Sequence, residues 1–437
     1  MAFIPRVLPA GRQANPADFT RTRKLPLHRL IVFVLHLVAH GRTEGMAIEA
    51  QRFFSQARRS GLWPGAQGAS GGAVSRRRAK LPWEIFADLL DKAVALAEDM
   101  WPAAANRLWH GLRVLAIDGS KFTLPASPLV RQEFDPASGL DHAGKGHFPQ
   151  SLVVTLYDVL RRLPLARSIV PVDASERLQA RALLAKAAAP CIVLFDRGFP
   201  QFDLLEFLLC DFAGHFLMRC PATYTFREIV AFAQSGAREA LLVLRPSQKH
   251  LASLPAAERQ RLGPKTLVLR AIALVAPDGE RSVLLTDLLD AQAYPAEDLI
   301  ELYWQRWRIE EYFRQEKVVM DDETFHGKTP NAIRQELLAA AIMTVLARLL
   351  AALAEQAQDL PPGRVQAKNA LLATAQDACL LAAENPLAAI AIFQELLHRI
   401  AAVKYYPPKT KRPPQPRVAK RPPNKWTIWK KAKAAAP

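Results

Sequence analysis

The spacing of hydrophobic residues changes along the 437-residue chain, and each change predicts a different element. Apolar residues recur at every third or fourth position in 81–99, which is typical of an amphipathic helix. Short apolar runs within 113–124 and 191–199, which end at Asp118 and Asp196, predict buried strands. The elements between these strands are a hairpin (151–160 and 166–172) and a helix (176–189). The order from residue 113 is therefore strand, hairpin, helix, strand and helix, which indicates an α/β fold.

A second β-rich stretch and several long helices follow this α/β segment. Short apolar runs between residues 214 and 298 predict an inserted sheet. Segments at 299–319, 332–358 and 364–403 predict long helices, and the second and third are rich in alanine and leucine. The expected parts are an N-terminal helical segment with a Gly-rich linker (1–75), the first part of the core (76–213), the β-rich insertion (214–298), core helices (299–350), a C-terminal helical region (351–403) and a basic Pro-rich tail (404–437).

The charge of the chain predicts an anionic partner. Lys and Arg number 58 against 41 Asp and Glu, which gives a net charge of +17. Eleven of the basic residues lie in 404–437, where there is no acidic residue and paired prolines favour extended, disordered chain. Such a tail could follow a phosphate backbone, or it could be a solvated terminus without a specific role. Basic residues between 21 and 29 precede an apolar helical stretch, a pattern suited to a DNA-contacting helical segment.

Other classes of protein are excluded by composition and spacing. Four cysteines without paired C-x-x-C spacing indicate neither a disulfide framework nor a structural zinc site. The longest early apolar run, 31–39, is far shorter than the about 20 residues that a membrane span needs, so we expect a cytoplasmic protein without membrane contact. Residues 139–146 resemble a phosphate-binding loop, but Gly146 replaces its Ser or Thr. We therefore expect no nucleotide cofactor.

Two aspartates and one helix carry the candidate chemistry. Asp118 and Asp196 are expected where two parallel strands end, the first in a turn, so their carboxylates would meet at one edge of the sheet and require a divalent cation. If 299–319 is one helix, Tyr303, Arg306, Glu310 and Lys317 lie within about 60° of one another. This stripe suits metal-assisted cleavage of a phosphodiester. It also suits an exposed helical face with an ordinary Arg306–Glu310 ion pair.

These residues resemble the bacterial DDE transposases of insertion sequences, in the IS-four group. The signature of that group is Y-(2)-R-(3)-E-(6)-K, and the stripe matches it at every spacing. The flanking WRIEE that starts at Trp307, AIDGSKFTLP around Asp118 and FDRGFPQFDLLEFL around Asp196 add to the resemblance. It implies an RNase H-like mixed sheet flanked by helices, with a β-rich insertion between the second Asp and the Glu.

The resemblance also implies an activity and its site residues. Asp118, Asp196 and Glu310 would bind two Mg²⁺ ions, for which Mn²⁺ would substitute. The DNA contacts would come from Tyr303, Arg306, Trp307 and Lys317.

The implied reaction is cleavage at transposon ends and strand transfer into target DNA. The partners would be double-stranded DNA, namely terminal inverted repeats and target, and a second copy of the chain in a homodimeric synaptic complex at the bacterial nucleoid. A catalytically inactive DNA-binding derivative and a structure-selective nuclease of the same fold remain alternatives.

Overall fold

A computed structural model of the protein describes residues 25–38, 45–103, 107–138, 148–275, 279–320 and 323–406. The predicted tail beyond residue 406, the basic residues 21–24 and most of the loop that resembles a phosphate-binding motif lie outside these ranges.

One mixed sheet organises the described residues. Its strands are β1 (Arg113–Thr123), β2 (Gln150–Asp158), β3 (Leu163–Pro171), β4 (Cys191–Phe195), β5 (His215–Pro221), β6 (Glu239–Leu244), β7 (Leu267–Val275) and β8 (Arg281–Thr286). Their spatial order is β3-β2-β1-β4-β5-β8-β7-β6. The first three strands pair antiparallel, and β1, β4 and β5 pair in parallel. This topology of the first five strands is RNase H-like, as the resemblance implied.

Helices cover both faces of the sheet. They are α1 (Leu27–Leu37), α2 (Met46–Arg59), α3 (Gly71–Ala79), α4 (Glu84–Met100), α5 (Pro128–Phe134), α6 (Glu176–Leu184), α7 (Phe202–Cys210), α8 (Arg227–Ser235), α9 (Gln248–Ser253), α10 (Ala256–Leu262), α11 (Ala296–Trp304), α12 (Trp307–Val319), α13 (Pro330–Ala357), α14 (Ala367–Gln376) and α15 (Pro386–Ala402).

The alternation of side chains along β1 and β4 assigns each residue to one face of the sheet. Leu115 and Val193 belong to a core cluster that includes α1, α4 and α13. Ala116 and Leu194 belong to a second cluster that contains Tyr303 and the apolar residues of α11 and α12. Continuing the alternation by two positions places residues 118 and 196 on the face covered by α11 and α12.

Helix α13 forms the centre of the helical layer. By length and composition it could cross a membrane, and among the described helices it alone passes that test. However, 83% of its most apolar stretch is buried inside the protein, against α4, α14 and α15. Core helices of globular proteins have this apolar character because they are surrounded by other elements. Its hydrophobicity is therefore accounted for by packing within the fold.

Four predictions about the strands and the linker differ from the structure. The expected turn after Asp118 is absent, because β1 continues to Thr123 in antiparallel register with β2. The expected Gly-rich linker contains α3, which begins after Ser70, whose hydroxyl accepts a hydrogen bond from the Ala73 amide. Strand β5, expected in the insertion, pairs in parallel with β4. The inserted strands extend the same sheet instead of forming their own.

The single helix expected over 299–319 is two helices. Helix α11 ends at Trp304 and α12 begins at Trp307, with i→i+3 hydrogen bonds at Gln305 and Arg306. Tyr303 therefore lies on one helix, whereas Glu310 and Lys317 lie on the next.

Candidate active site

The sheet brings the two predicted aspartates together. The parallel pairing of β1 with β4 ends at Ala116 and Leu194, and each aspartate lies two residues beyond this pair. Asp118 is still within β1, whereas Asp196 begins the loop after β4, where its Oδ1 accepts a hydrogen bond of 2.7 Å from the Gly198 amide. Both carboxylates therefore leave neighbouring strands on the same face.

The carboxyl of Asp118 is poorly compensated. Burial raises its pKa from 3.8 to about 7, Arg306 opposes the rise, and the charges of Asp196 and Glu176 add to it. Desolvation and nearby like charges both disfavour a carboxylate. This side chain is only 16% exposed. The site thus holds more negative charge than its neighbouring groups neutralise.

Arg306 connects the sheet to the third predicted acid. Its Nη1 lies 3.2 Å from Asp118 Oδ2, and its Nη2 donates to Glu310 Oε1 at 2.7 Å. The guanidinium also lies 5.7 Å from the centre of the Trp307 ring. The break between α11 and α12 places Arg306 at the start of α12, close to the strand. The predicted Arg306–Glu310 ion pair forms, but Arg306 is buried beside Asp118 and does not lie on an exposed helical face.

The other two signature residues occupy different environments. Tyr303 is 2% exposed and lies in the core beneath the site, where burial raises its pKa to about 12 while Arg306 opposes the rise. Lys317 donates from Nζ to the Lys121 carbonyl at 2.6 Å and lies 4.6 Å from the centre of the Phe122 ring. Lys317 lines a cavity of about 390 Å³ together with Asp118 and Glu310.

A fourth carboxylate, Glu176, was not anticipated from the sequence. It is the first residue of α6, whose N-cap is the hydroxyl of Ser175. A Cβ atom placed on Gly119 would lie 2.5 Å from Glu176 Oε1, so this carboxylate rests directly against β1 beside Asp118. Burial and the charge of Asp196 raise the pKa of Glu176. The available signal was an acid at the start of the helix that follows the hairpin.

The donor set suits a divalent metal ion by chemistry and charge. Carboxylate oxygens are the preferred ligands of Mg²⁺, and Arg306 is the cation that contacts Asp118 and Glu310. In the described part of the chain, no three His, Cys, Asp or Glu side chains are grouped closely enough to hold a metal. Arg306 lies between Asp118 and Glu310 instead. The carboxylates suit a metal ion because their negative charge is not fully neutralised. A metal bound between Asp118 and Glu310 would have to share these carboxylates with Arg306 or displace it.

Comparison with known proteins identifies the family. The family model described as a transposase DDE domain matches residues 109–346, which is more than half of the chain. The chain belongs to the DDE transposase family. It is 26% identical over 324 residues to the transposase InsG for insertion sequence element IS4 of Escherichia coli strain K12, an alignment covering 72% of this chain and 68% of the relative. The IS-four resemblance is thereby confirmed, and this transposase acts in DNA transposition.

A solved structure also aligns with the transposase. It is the piggyBac transposase synaptic complex with hairpin DNA, at 11% identity and a TM-score of 0.41, covering 87% of this chain and 78% of that one. Members of the DDE family cleave and join DNA and use divalent metal ions. The region matched by the family model, 109–346, contains Asp118, Asp196, Glu176 and all of α12.

Proposed function

We propose that this transposase cleaves DNA at transposon ends and joins the freed ends to target DNA, with two Mg²⁺ ions as cofactors. The carrying observation is the placement of Asp118 and Asp196 on neighbouring strands at one face of the sheet, with Arg306 joining Asp118 to Glu310. Mn²⁺ would substitute for Mg²⁺, because both prefer oxygen ligands. Bound divalent ions activate the attacking water or hydroxyl and stabilise the leaving oxygen.

The acids would hold the ions, and the basic residues would hold the DNA. Asp118, Asp196 and Glu310 supply the carboxylates. Arg306 and Lys317 carry donors that suit phosphate oxygens. Arg306 contacts Asp118, and Lys317 lines the same cavity as Asp118. Trp307 is 39% exposed and can pack against the DNA strand.

Tyr303 enters the proposal differently, because it is buried. Its ring supports the start of α12, and its hydroxyl interacts with Arg306. We therefore propose that Tyr303 orients Arg306 toward the scissile phosphate, and that a direct DNA contact by Tyr303 would require α11 to move.

The remaining expectations are also proposals. The segment 1–75 would recognise the transposon end, and the insertion and the C-terminal helices would position DNA and protomers. Joining two ends requires two active sites, so a homodimer on double-stranded DNA is proposed for the synaptic complex. The protein would act on the nucleoid in a bacterial cytoplasm.

Replacement of one carboxylate tests this function. The variant E310Q removes the charge that faces Arg306, and we expect Mg²⁺-dependent nicking of a duplex containing the DNA that flanks this gene to fall on the order of 1000-fold. DNA binding should persist. The matched control is E311Q, which alters the next residue of α12, an exposed glutamate. Wild-type nicking by E310Q would overturn the proposed function.

A further inference from the structure

A second, larger cavity adjoins the acid cluster. Its volume is about 1000 Å³, and it lies between the loop after β4 and the inserted part of the chain. Its wall includes Arg197 and Gly198, which follow Asp196, and Arg177, which follows Glu176. It shares no lining residue with the cavity that contains Asp118 and Glu310. Two separate cavities therefore adjoin the acids.

The lining of the larger cavity is strongly basic. The lining contains one glutamate, Glu228, and four arginines, which are Arg177, Arg197, Arg227 and Arg245. The side chains of Arg227 and Arg245 are exposed, and neither has an ion pair or hydrogen bond with another residue of the described ranges. Guanidinium groups present paired donors that match phosphate oxygens. Several of them in one concavity indicate a ligand with more than one phosphate.

The other two arginines tie this cavity to the active site. Arg177 donates to the Gly198 carbonyl at 2.7 and 3.0 Å, and the Gly198 amide donates to Asp196 at 2.7 Å. Arg197 pairs with Glu280 at 3.2 Å, and both side chains are more than half exposed. A ligand bound to these arginines would therefore be held in a fixed relation to Asp196.

An aromatic ring at the cavity supports a nucleic acid ligand. Tyr224 lines the cavity and is 73% exposed, so its ring is accessible to a ligand. Aromatic rings beside arginines pack on the sugars and bases of DNA strands while the arginines hold the phosphates. The volume is near the upper end for small-molecule pockets, about 1000 Å³, and suits a short length of strand.

We propose that this arginine cavity binds consecutive phosphates of the DNA strand that continues from the scissile bond past Asp196. The inference rests on the proposed function for its relation to the cleaved bond. Arg227 and Arg245 supply the free guanidinium groups, and Arg177 and Arg197 align the strand with the acids.

Salt dependence of binding tests the proposal. The double variant R227A/R245A removes two phosphate contacts, so the slope of log Kd against log salt should fall by about 1.8 units. Fluorescence anisotropy without metal gives this slope for two duplexes, one with the flanking DNA of this gene and one unrelated. The control, K92A/K186A, removes two exposed lysines that do not line the cavity and should keep the slope. If the salt slope falls with the flanking duplex alone, the bound strand belongs to the transposon end. If the slope falls with both duplexes, the cavity also binds target DNA.

Neutral phosphates show whether the contact is direct. Methylphosphonates are placed one at a time beside the cleavage position. At two or more neighbouring positions they should weaken DNA binding by the wild type. R227A/R245A should bind the modified and the unmodified DNA equally well at those positions. The single variants, each expected to lower the slope by about 0.9, serve if the double variant unfolds on heating earlier than the wild type. An unchanged slope in the variants, or equal methylphosphonate effects in variant and wild type, would overturn the proposal. Nicking by E310Q would instead contradict the proposed function and leave this binding result intact.

Discussion

Two glutamates of helix α12 pair with arginines that lie outside the helix, and the two pairs differ in how completely they are satisfied. Glu316 and Arg167 have fully buried side chains, and Arg167 Nη2 lies 2.7 Å from both carboxylate oxygens. Glu310 is 35% exposed and Arg306 is 8% exposed, and Arg306 divides its donors between Glu310 and Asp118. The two glutamates are six positions apart on the same helix.

The Glu316–Arg167 pair, called the closed pair below, has further partners that the Glu310–Arg306 pair, called the open pair, lacks. The Tyr312 hydroxyl donates to Glu316 at 2.5 Å, and Arg167 Nη1 donates to the Leu337 carbonyl at 2.7 Å. These bonds join β3, α12 and α13, so they fix α12 against the edge of the sheet. The open pair faces a cavity and has Nε of Arg306 buried without a partner. A satisfied pair holds the helix in place, and an incompletely satisfied pair one to two turns away remains available for a ligand.

Breaking the closed pair should give the largest change in stability. The variant E316Q leaves Arg167 buried with no opposing charge at this position, and losing one partner of a buried pair costs about 3–5 kcal/mol. We expect a correspondingly lower free energy of unfolding in urea. The comparison with E310Q is the informative one, because Glu310 is partly exposed and its replacement should cost little stability.

Activity separates the two glutamates in the opposite direction. At a temperature where E316Q is folded, its nicking per folded molecule should stay within a few-fold of the wild type. Loss of nicking on the order of 1000-fold in folded E316Q would contradict a purely supporting role.

Removing the uncompensated acid should stabilise the metal-free protein. The pKa of Asp118 is raised from 3.8 to about 7 by burial, with Asp196 and Glu176 adding to the rise against Arg306. The folded state therefore binds this proton more tightly than the unfolded state. The stabilisation that the proton contributes is fully present below pH 3.8 and is lost as the pH rises to about 7. This shift corresponds to at most about 4 kcal/mol. Asn cannot ionise, so D118N should unfold at a higher temperature than the wild type at pH 8 in chelator.

The pH dependence is the check on that prediction. The advantage of D118N should shrink as the pH falls from 8 to 4. An advantage that is constant across this range would show that ionisation of Asp118 is not its cause.

The sequence predicted the fold better than the local geometry of the site. Periodicity located the strand that contains Asp118 and the strand that ends just before Asp196, since a buried five-residue strand such as β4 has few other interpretations. The helix break before Trp307 could not be predicted, because every residue from Leu299 to Val319 favours or tolerates helix. At the break Arg306 contacts Asp118, and a contact between residues so far apart in the chain cannot be read from local sequence. Glu176 was missed for the same reason, since its neighbour Gly119 is distant in sequence.

Substitution of Gly119 should give the smallest change in stability. It tests the contact between Gly119 and the Glu176 carboxylate beside Asp118. A Cβ at this position would lie 2.5 Å from Glu176 Oε1 and 3.0 Å from Leu152 Cδ1, so G119A must displace the carboxylate of Glu176. Overpacking of this kind costs about 1–3 kcal/mol, and the flexible glutamate should bring the cost to the lower end. Thermal unfolding of G119A, E176A and G119A/E176A measures it. Shortening Glu176 should relieve the contact, so the double variant should be more stable than the sum of the single changes predicts. Strict additivity would show that Glu176 does not rest on Gly119, and the fourth carboxylate would then lie outside the acid cluster.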